Sequence, residues 1–430
     1  MNVLVIGGGI GGLCLAQGLR KAGVPVTVYE RDTHPAGRWE GYRIHIDPAG
    51  ARSLRACLPD DLWRTFLATA GPGGDFGFLT EQLAELVVVE ETISHPNGTD
   101  PEESHYAVDR RALRRVLLAG LGDTVHFGAE FERYEVDGDV VTAHFADGTT
   151  ATGDVLVGAD GIGSRVRRQY LPHAEPVSAG VVGLANKLLL TEDTLAWLPP
   201  RLRHGMNVVS DAGPFSLFTS AYQPAPGARA ALAAITDDVP PVDQPYLLSA
   251  LVAAPDALPP DITDYGPDEL ASVAEGLIAD WHPALRRLIA ESEHADRGAN
   301  VFRVSPETEP WEPTRVTVLG DAIHAVPATG GLGGNAALRD ARRLTQALAG
   351  NGSIFEEIAE YEVDMREHGY AAIREALTVR DQLLAHGTLR TFVARSWFRL
   401  CSRITPLRRK TFGDADNEVS QPRAWERQAG

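Results

Sequence analysis

The chain has 430 residues, 44% apolar and 23% charged, an ordinary globular composition long enough for two or three domains and a large core. Lys and Arg number 40 against 58 Asp and Glu, a net charge of −18, and such an acidic surface repels phosphate backbones, which argues against a nucleic-acid partner. The cysteines Cys14, Cys57 and Cys401 are far apart, odd in number and without a CxxC pair, which excludes a disulfide framework and a thiolate zinc site. The short apolar run at Val3–Ile6 lacks a basic n-region and nothing approaches 18 consecutive apolar residues. The sequence therefore predicts neither a secretory leader nor a membrane span, and points to the cytoplasm.

Val3-Leu-Val-Ile6 reads as a buried parallel strand. Gly7-x-Gly9-x-x-Gly12 follows, then a helical pattern up to Gly23 and a second strand, Val26-Thr-Val-Tyr29, ending at Glu30. Each residue type has a physical task in that order. Gly7 permits a tight turn, Gly9 lets the backbone approach a pyrophosphate, and Gly12 lets helix and strand pack closely. The helix N-terminus offers N–H groups and a positive dipole to phosphate, and Glu30, 23 residues after Gly7, is placed for a ribose hydroxyl. Strand, turn, helix and acid in register predict a dinucleotide site, FAD or NAD(P).

Further along, Val108-Asp-Arg-Arg-Ala-Leu-Arg-Arg115 reads as an amphipathic helix whose arginines form a solvated face. Residues 125–157 alternate as strands broken by hairpin signals at Asp137-Gly138 and Asp147-Gly148. Val155-Leu-Val-Gly158 runs into Asp160-Gly161, Ser164 and Arg167. Strand-like runs occupy 181–190, 206–210, 215–222 and 230–235, while 239–267, with seven prolines, reads as a long irregular connection and 268–292 as one amphipathic helix. Another strand, 315–319, ends in Gly320-Asp321, followed by His324, Pro327 and a second glycine turn, Gly331-x-Gly333-x-Asn335, that opens another helix. From Gly387 to Gly413 there are six arginines, Lys410 and no acid, with Val393, Trp397, Leu400 and Ile404 as an apolar stripe. That stripe suits a membrane-surface helix or a helix packed on the protein's own acidic body.

The three motifs together resemble the single-component FAD-dependent monooxygenases with the p-hydroxybenzoate hydroxylase fold, with aromatic, polyketide and tetracycline-modifying hydroxylases as cousins. The resemblance runs from residue 1 to about 345 and implies an α/β fold. That fold would have a Rossmann-type FAD-binding domain (1–175 with a β-meander, resuming at 301–345), an inserted sheet-rich substrate domain (176–300) and a helical C-terminal region (346–430). It implies that Gly7, Gly9, Gly12, Glu30 and Arg31 hold the ADP half of FAD, that Asp160 sits near the pyrophosphate, and that Asp321 binds the ribitol or pyrophosphate region. It places Gly331, Gly333 and Asn335 beside the isoalloxazine ring. The family's Arg-x-x-Leu element matches Arg110 and Leu113, with Arg111 the alternative since the register is ambiguous by one residue. Arg38, just before the segment Gly41-Tyr42-Arg43-Ile44-His45, is implied as a flavin contact, and Arg43 and His45 are substrate-side candidates. One departure is that Ala328-Thr329-Gly330 is about one residue longer than in some relatives.

The activity so implied is hydroxylation or epoxidation of an aromatic or polyketide-like compound, as in antibiotic biosynthesis, with NAD(P)H and O2 as co-substrates and a flavin C4a-hydroperoxide as oxidant. The flavin carries the chemistry, so no essential nucleophile and no metal are expected. The sequence shows no second strand–GxGxxG–helix unit, so NAD(P)H would bind transiently on the FAD domain. A dehydrogenase or reductase on the same scaffold, without oxygen insertion, is the alternative; a monomer and a homodimer both stay open.

Overall fold

In the computed structural model, which describes residues 1–34, 43–91 and 100–412, two sheets dominate. The first is a five-stranded parallel sheet ordered Val316–Val318, Val155–Gly158, Val3–Ile6, Val26–Glu30, Val125–Phe127. Val3, Val5, Val155 and Val157 have no exposed surface, as strands covered on both faces require. The helices Ile10–Lys21 and Gly333–Ala349 pack together on this core, and the meander Phe131–Asp137, Val140–Phe145, Thr150–Gly153 lies beside it, turning at Gly138 and Gly148 as the hairpin signals predict. Parallel strands all point the same way. Ile6, Glu30, Gly158 and Val318 therefore end at one edge, and the loops after them converge although they are far apart in sequence.

The second sheet has seven strands, ordered Gly298–Val304, Val177–Leu189, Tyr246–Ala253, Phe215–Tyr222, Met206–Ser210, Phe76–Thr80, Glu85–Val89. It reaches outside 176–300, because its last two strands come from residues 76–89. Side chains alternate across it. Leu184, Leu188, Val209, Leu217, Leu247 and Leu251 form a core with the helices Pro267–Leu277 and Pro283–Ala290. The opposite face carries Met206, Ser220, Tyr222, Tyr246 and Leu248, and turns toward the first unit: Tyr222 Oη donates to the Thr69 carbonyl at 3.2 Å and Tyr246 Oη to the Asp109 carboxylate at 3.2 Å.

Three expectations are corrected. Residues 230–235 belong to the helix Ala228–Ala233 and the turn after it, not to a strand; an alanine run lacks the β-branched side chains that favour a pleated surface, and Gly227 at φ +87° starts the helix. The proline-rich segment 239–267 is not an irregular connection, for it contains the central strand Tyr246–Ala253. Its prolines flank the strand without entering it. The single helix expected over 268–292 is two, interrupted around Trp281-His282, with Pro283 opening the second.

After Gly333–Ala349 the chain continues as the helices Ile354–Leu383, Thr388–Arg403 and Thr405–Phe412. Thr388–Arg403 docks on the second sheet through Arg395, which bonds the Glu81 carboxylate and the Ser210 carbonyl, and through Phe398, whose ring lies 4.7 Å from Phe78. The stripe of Val393, Trp397, Leu400 and Ile404 is on its exposed side. Cys14 and Cys57, remote in sequence, are both buried in the same core and carry free thiols. Among the described residues no helix is long and apolar enough to cross a membrane.

Candidate functional site

The first motif shows why three glycines are needed. Gly7 has φ +115°, and a Cβ there would stand 2.3 Å from the Ala159 carbonyl oxygen; a Cβ on Gly12 would stand 2.1 Å from the Gly7 carbonyl oxygen. These two let strand, turn and helix approach. Gly9 differs: a Cβ there meets nothing within 4 Å, and no side chain caps the helix that begins at this residue. The turn thus presents uncapped helix N–H groups to an open groove, a cradle suited to phosphate oxygens. Glu30 is buried, and its carboxylate accepts from Gly8 N–H at 2.7 Å and Asp32 N–H at 2.9 Å. Arg114 Nε donates to the Gly8 carbonyl at 3.1 Å, so the Gly8 peptide is pinned from both sides. Arg114 and Arg115, each 4% exposed, correct the expectation that the arginines of this helix form a solvated face. Arg31 is exposed at the strand end, and Arg38 lies outside the described residues.

The second motif is built around a cap. Asp160 accepts from the N–H groups of Arg165 at 2.7 Å and Val166 at 3.3 Å and from the Ser164 hydroxyl, fixing the helix Arg165–Tyr170. Burial pushes the Asp160 carboxyl up, against these hydrogen bonds. Arg167 has no exposed surface and donates to the carbonyls of Ile162 and Ala322 and to Glu175, which ties the Asp-Gly loop to the Gly-Asp loop.

Asp321, in the third motif, is exposed at its own surface yet surrounded by protein, as a group in a cleft is; the lost solvation raises its carboxyl, opposed by the charges of Arg110 and His324. Arg110 is exposed at the start of the helix Arg110–Leu118, whereas Arg111 is held by the Asp109 carboxylate at 3.1 Å. Of the two arginines, it is Arg110 whose charge bears on the Asp321 carboxyl. Behind the turn, the buried Asp340 accepts from Gly320 N–H at 2.7 Å and lies 2.6 Å from His324 Nε2 and 2.8 Å from His368 Nε2. These are hydrogen-bond distances between the three groups, which hold the Gly-Asp turn. Burial favours a neutral Asp340, but attraction to and hydrogen bonding with His324 and His368 prevail and hold its carboxyl at about 2.

The glycine turn closes the site. Gly333 lies beside Asp321, a Cβ on it falling 3.7 Å from the carboxylate, and Gly331 lies beside His45. Asn335 is a brace: Nδ2 donates to the carbonyls of His45 at 3.0 Å and Gly331 at 3.4 Å, and Oδ1 accepts from Asp47 N–H at 3.1 Å. The strand Arg43–Ile46 that it holds pairs with Tyr106–Asp109. Ile46 is buried; on the other face, His45 Nε2 sits 2.7 Å from His105 Nδ1, and buried Arg43 reaches Met206 Sδ with Nη1 at 3.4 Å.

Comparison with known proteins agrees with this geometry. Residues 5–67 match the NAD(P)-binding Rossmann-like domain family and residues 285–363 the FAD binding domain family. The chain is 33% identical over 393 residues to the dual O-methyltransferase/FAD-dependent monooxygenase CTB3 of Cercospora beticola, covering 85% of this chain and 44% of that protein. It spans less than half the length of the first curated relatives it matches. It is 28% identical to the 3-amino-4-hydroxybenzoate 2-monooxygenase of Streptomyces cremeus, covering 84% of this chain and 82% of that one. A crystal structure assigned as an FAD-containing monooxygenase of Photorhabdus luminescens superposes with a TM-score of 0.79 at 32% identity, over 90% of this chain and all of that one. The chain belongs to the FAD-dependent monooxygenases.

The residues present suit that cofactor. The open groove at Gly9, the uncapped helix start and the cleft at Asp321 and Arg110 lie along one edge of the parallel sheet, and the turn at 330–334 leads from it toward the second sheet. What the sequence left unseen in this chain are supporting roles. Arg114, Asp340 and His368 act on backbone or on one another, and only the oddity of a titratable residue at an otherwise apolar helix position signals them; Arg167 belongs to a motif the sequence shows, but its bridge to Ala322 is not announced there.

Proposed function

We propose that this chain is an FAD-dependent monooxygenase that consumes NAD(P)H and O2 and hydroxylates or epoxidises an aromatic or polyketide-like small molecule. The observation that carries the reading is the position of the strand Arg43–Ile46. Its backbone is braced to the glycine turn by Asn335, and its Arg43 side chain reaches the apolar sheet face at Met206. A flavin at the turn and a substrate on that face would meet across this strand. The name of the Streptomyces cremeus relative, an aromatic hydroxylase, supports the substrate class.

In this reading the N–H groups at Gly9 and the first turn of Ile10–Lys21 receive the pyrophosphate, and Glu30 and Arg31 the adenosine ribose. Asp160 keeps its loop in shape near the phosphates, Arg110 and Asp321 address the ribitol side, and Gly331, Gly333 and the N–H groups opening the helix Gly333–Ala349 face the isoalloxazine edge. The chemistry that bound FAD would supply is hydride acceptance from NAD(P)H and activation of O2 for transfer of one oxygen atom. The protein excludes water and holds the reacting carbon in line, for which Met206 and Leu248 supply apolar wall on that sheet face. His45 would accept a substrate hydroxyl proton at Nδ1 and release the one on Nε2 to His105 Nδ1, 2.7 Å away.

The test is mass spectrometry of products formed from phenols and polyketide-like enols with NADPH under labelled O2. One labelled oxygen atom in the product is expected. Oxidised product without label would replace this reading by the dehydrogenase alternative.

A further inference from the structure

Arg43 is 8% exposed, yet among the described residues its guanidinium has a single hydrogen-bond partner, Met206 Sδ; Nε and Nη2 have none. A guanidinium carries five donors and no acceptor, and burying it without an anion is costly. Asp109 stands opposite Arg43 in the strand ladder, but its carboxylate is committed to Arg111, to the N–H groups opening the helix Arg110–Leu118, and to Tyr246 Oη. Burial lowers the Arg43 guanidinium to about 10, and the nearby Tyr246 only partly offsets this.

A second orphan lies alongside. Met206 is the cross-strand partner of Ser220, whose hydroxyl is buried with no hydrogen-bond partner among the described residues. Two sets of unclaimed donors thus flank one methionine on the sheet face that turns toward the first unit.

We propose that Arg43, with Ser220 beside it, is a specificity-determining subsite that reads an anionic oxygen of the substrate, a carboxylate or an ionised phenol or enol. The subsite rests on the hydroxylase reading above, and it narrows the substrate class: the compound presents an acceptor-only group to a sheet face whose tyrosine hydroxyls, Tyr222 and Tyr246, are already committed to Thr69 and Asp109. Neutral analogues leave the guanidinium unpaired and bind less well.

Calorimetric titration of the FAD-loaded protein tests this without turnover, using 1-hydroxy-2-naphthoate against its carboxamide, and pentafluorophenol, ionised at neutral pH, against its methyl ether. The protein should prefer the anionic member of at least one pair by about 10- to 100-fold. Arg43→Met should erase the preference, Arg43→Lys should keep part of it, and both should retain wild-type flavin content. Unliganded R43M should melt at or above the wild-type temperature, because it removes a buried charge that lacks a counterion; Arg43→Gln serves if R43M does not fold. Absence of any anionic preference in the wild type, or of binding altogether, overturns the subsite. So does loss of flavin from the Arg43 variants, which would make Arg43 a cofactor ligand. A clear anionic preference without NADPH-driven oxygenation of any compound keeps the subsite and removes the hydroxylase reading instead.

Discussion

The fully buried guanidinium of Arg167 donates from Nη1 to the Ala322 carbonyl at 3.2 Å and to the Ile162 carbonyl at 2.9 Å, while Nη2 meets Glu175 at 2.9 Å. One side chain thus joins the Asp-Gly loop to the Gly-Asp loop, so the two motifs hold a common geometry. A planar fork can serve separate acceptors at once; an ammonium on a flexible stem cannot reproduce that arrangement.

Arg167→Lys and Arg167→Met should therefore lower stability by about 2–4 kcal/mol, since they leave buried carbonyls unmatched. Flavin affinity should fall as well, although Arg167 sits behind the loops. Urea unfolding of the apo protein and flavin titration measure the two effects. Wild-type values for R167K in both would show that the bond to Ala322 does not brace the site.

Gly9 and Gly12 should respond in opposite ways to substitution. A Cβ at Gly9 meets nothing, so Gly9→Val should fold and melt within about 1 kcal/mol of the wild type while its side chain projects into the groove and FAD binding collapses. A Cβ at Gly12 would press on the Gly7 carbonyl, so Gly12→Ala should yield little folded protein. Circular dichroism beside flavin absorbance separates loss of fold from loss of ligand. Wild-type flavin affinity in G9V would remove the pyrophosphate assignment.

Local signals carried the parallel sheet, the glycine turn, the Asp-Gly and Gly-Asp loops and the hairpins, because each is encoded within a dozen residues by strand runs and obligatory glycines. The second sheet was only half legible. Its central strand Tyr246–Ala253 is bracketed by prolines that made the whole stretch look irregular, and its edge strands at 76–89 join by a pairing with Met206–Ser210 that no local pattern announces. The docking of the last helices was half legible as well: the helix packs on the protein's own body, as one of the two readings has it, but through Arg395 and Phe398, while the stripe of Val393 and Trp397 stays exposed. Periodicity shows that a helix has an apolar face without showing which neighbour covers it.

Glu362 gives the fold a pH-dependent weakness. Burial pushes its carboxyl up to about 7, against hydrogen bonds that include the one from Thr317 Oγ1 at 2.8 Å. The folded value lies above the ordinary one near 4.3, so the fold favours the protonated form. The cost of ionising it grows as pH rises from about 4 toward 7 and is fully present above 7. Glu362→Gln should consequently be more stable than the wild type at pH 8 by about 1–3 kcal/mol, with the gap closing near pH 4. Asp340 works in the reverse sense: its depressed value adds stability above about pH 4 that is lost as pH falls toward 2. Thermal melts of E362Q and wild type across this range measure both arms. A gap independent of pH would mean that Glu362 does not titrate in the fold.

Flavin reduction should be tied to substrate arrival. The described residues contain one parallel nucleotide-type sheet, so NAD(P)H would reach the flavin from outside. Within the proline-rich segment, Tyr246–Ala253 is fixed as an interior strand of the second sheet and does not serve as a gate. Gly41 lies outside the described residues; among the described ones a candidate for movement is the turn at 330–334, where Gly334 has open space at its Cβ position and Gly331 takes φ +69° next to His45. Substrate bound on the face with Met206 and Arg43 would press on the same strand that Asn335 ties to this turn. A tenfold acceleration needs only about 1.4 kcal/mol of preference for the reducible arrangement. Anaerobic stopped-flow reduction by NADPH should be slow in the free enzyme and at least about tenfold faster with a hydroxylated compound bound. Replacing Asn335 with Ala should shrink that difference by uncoupling strand from turn. Equal rates with and without a turned-over substrate would rule the gating out.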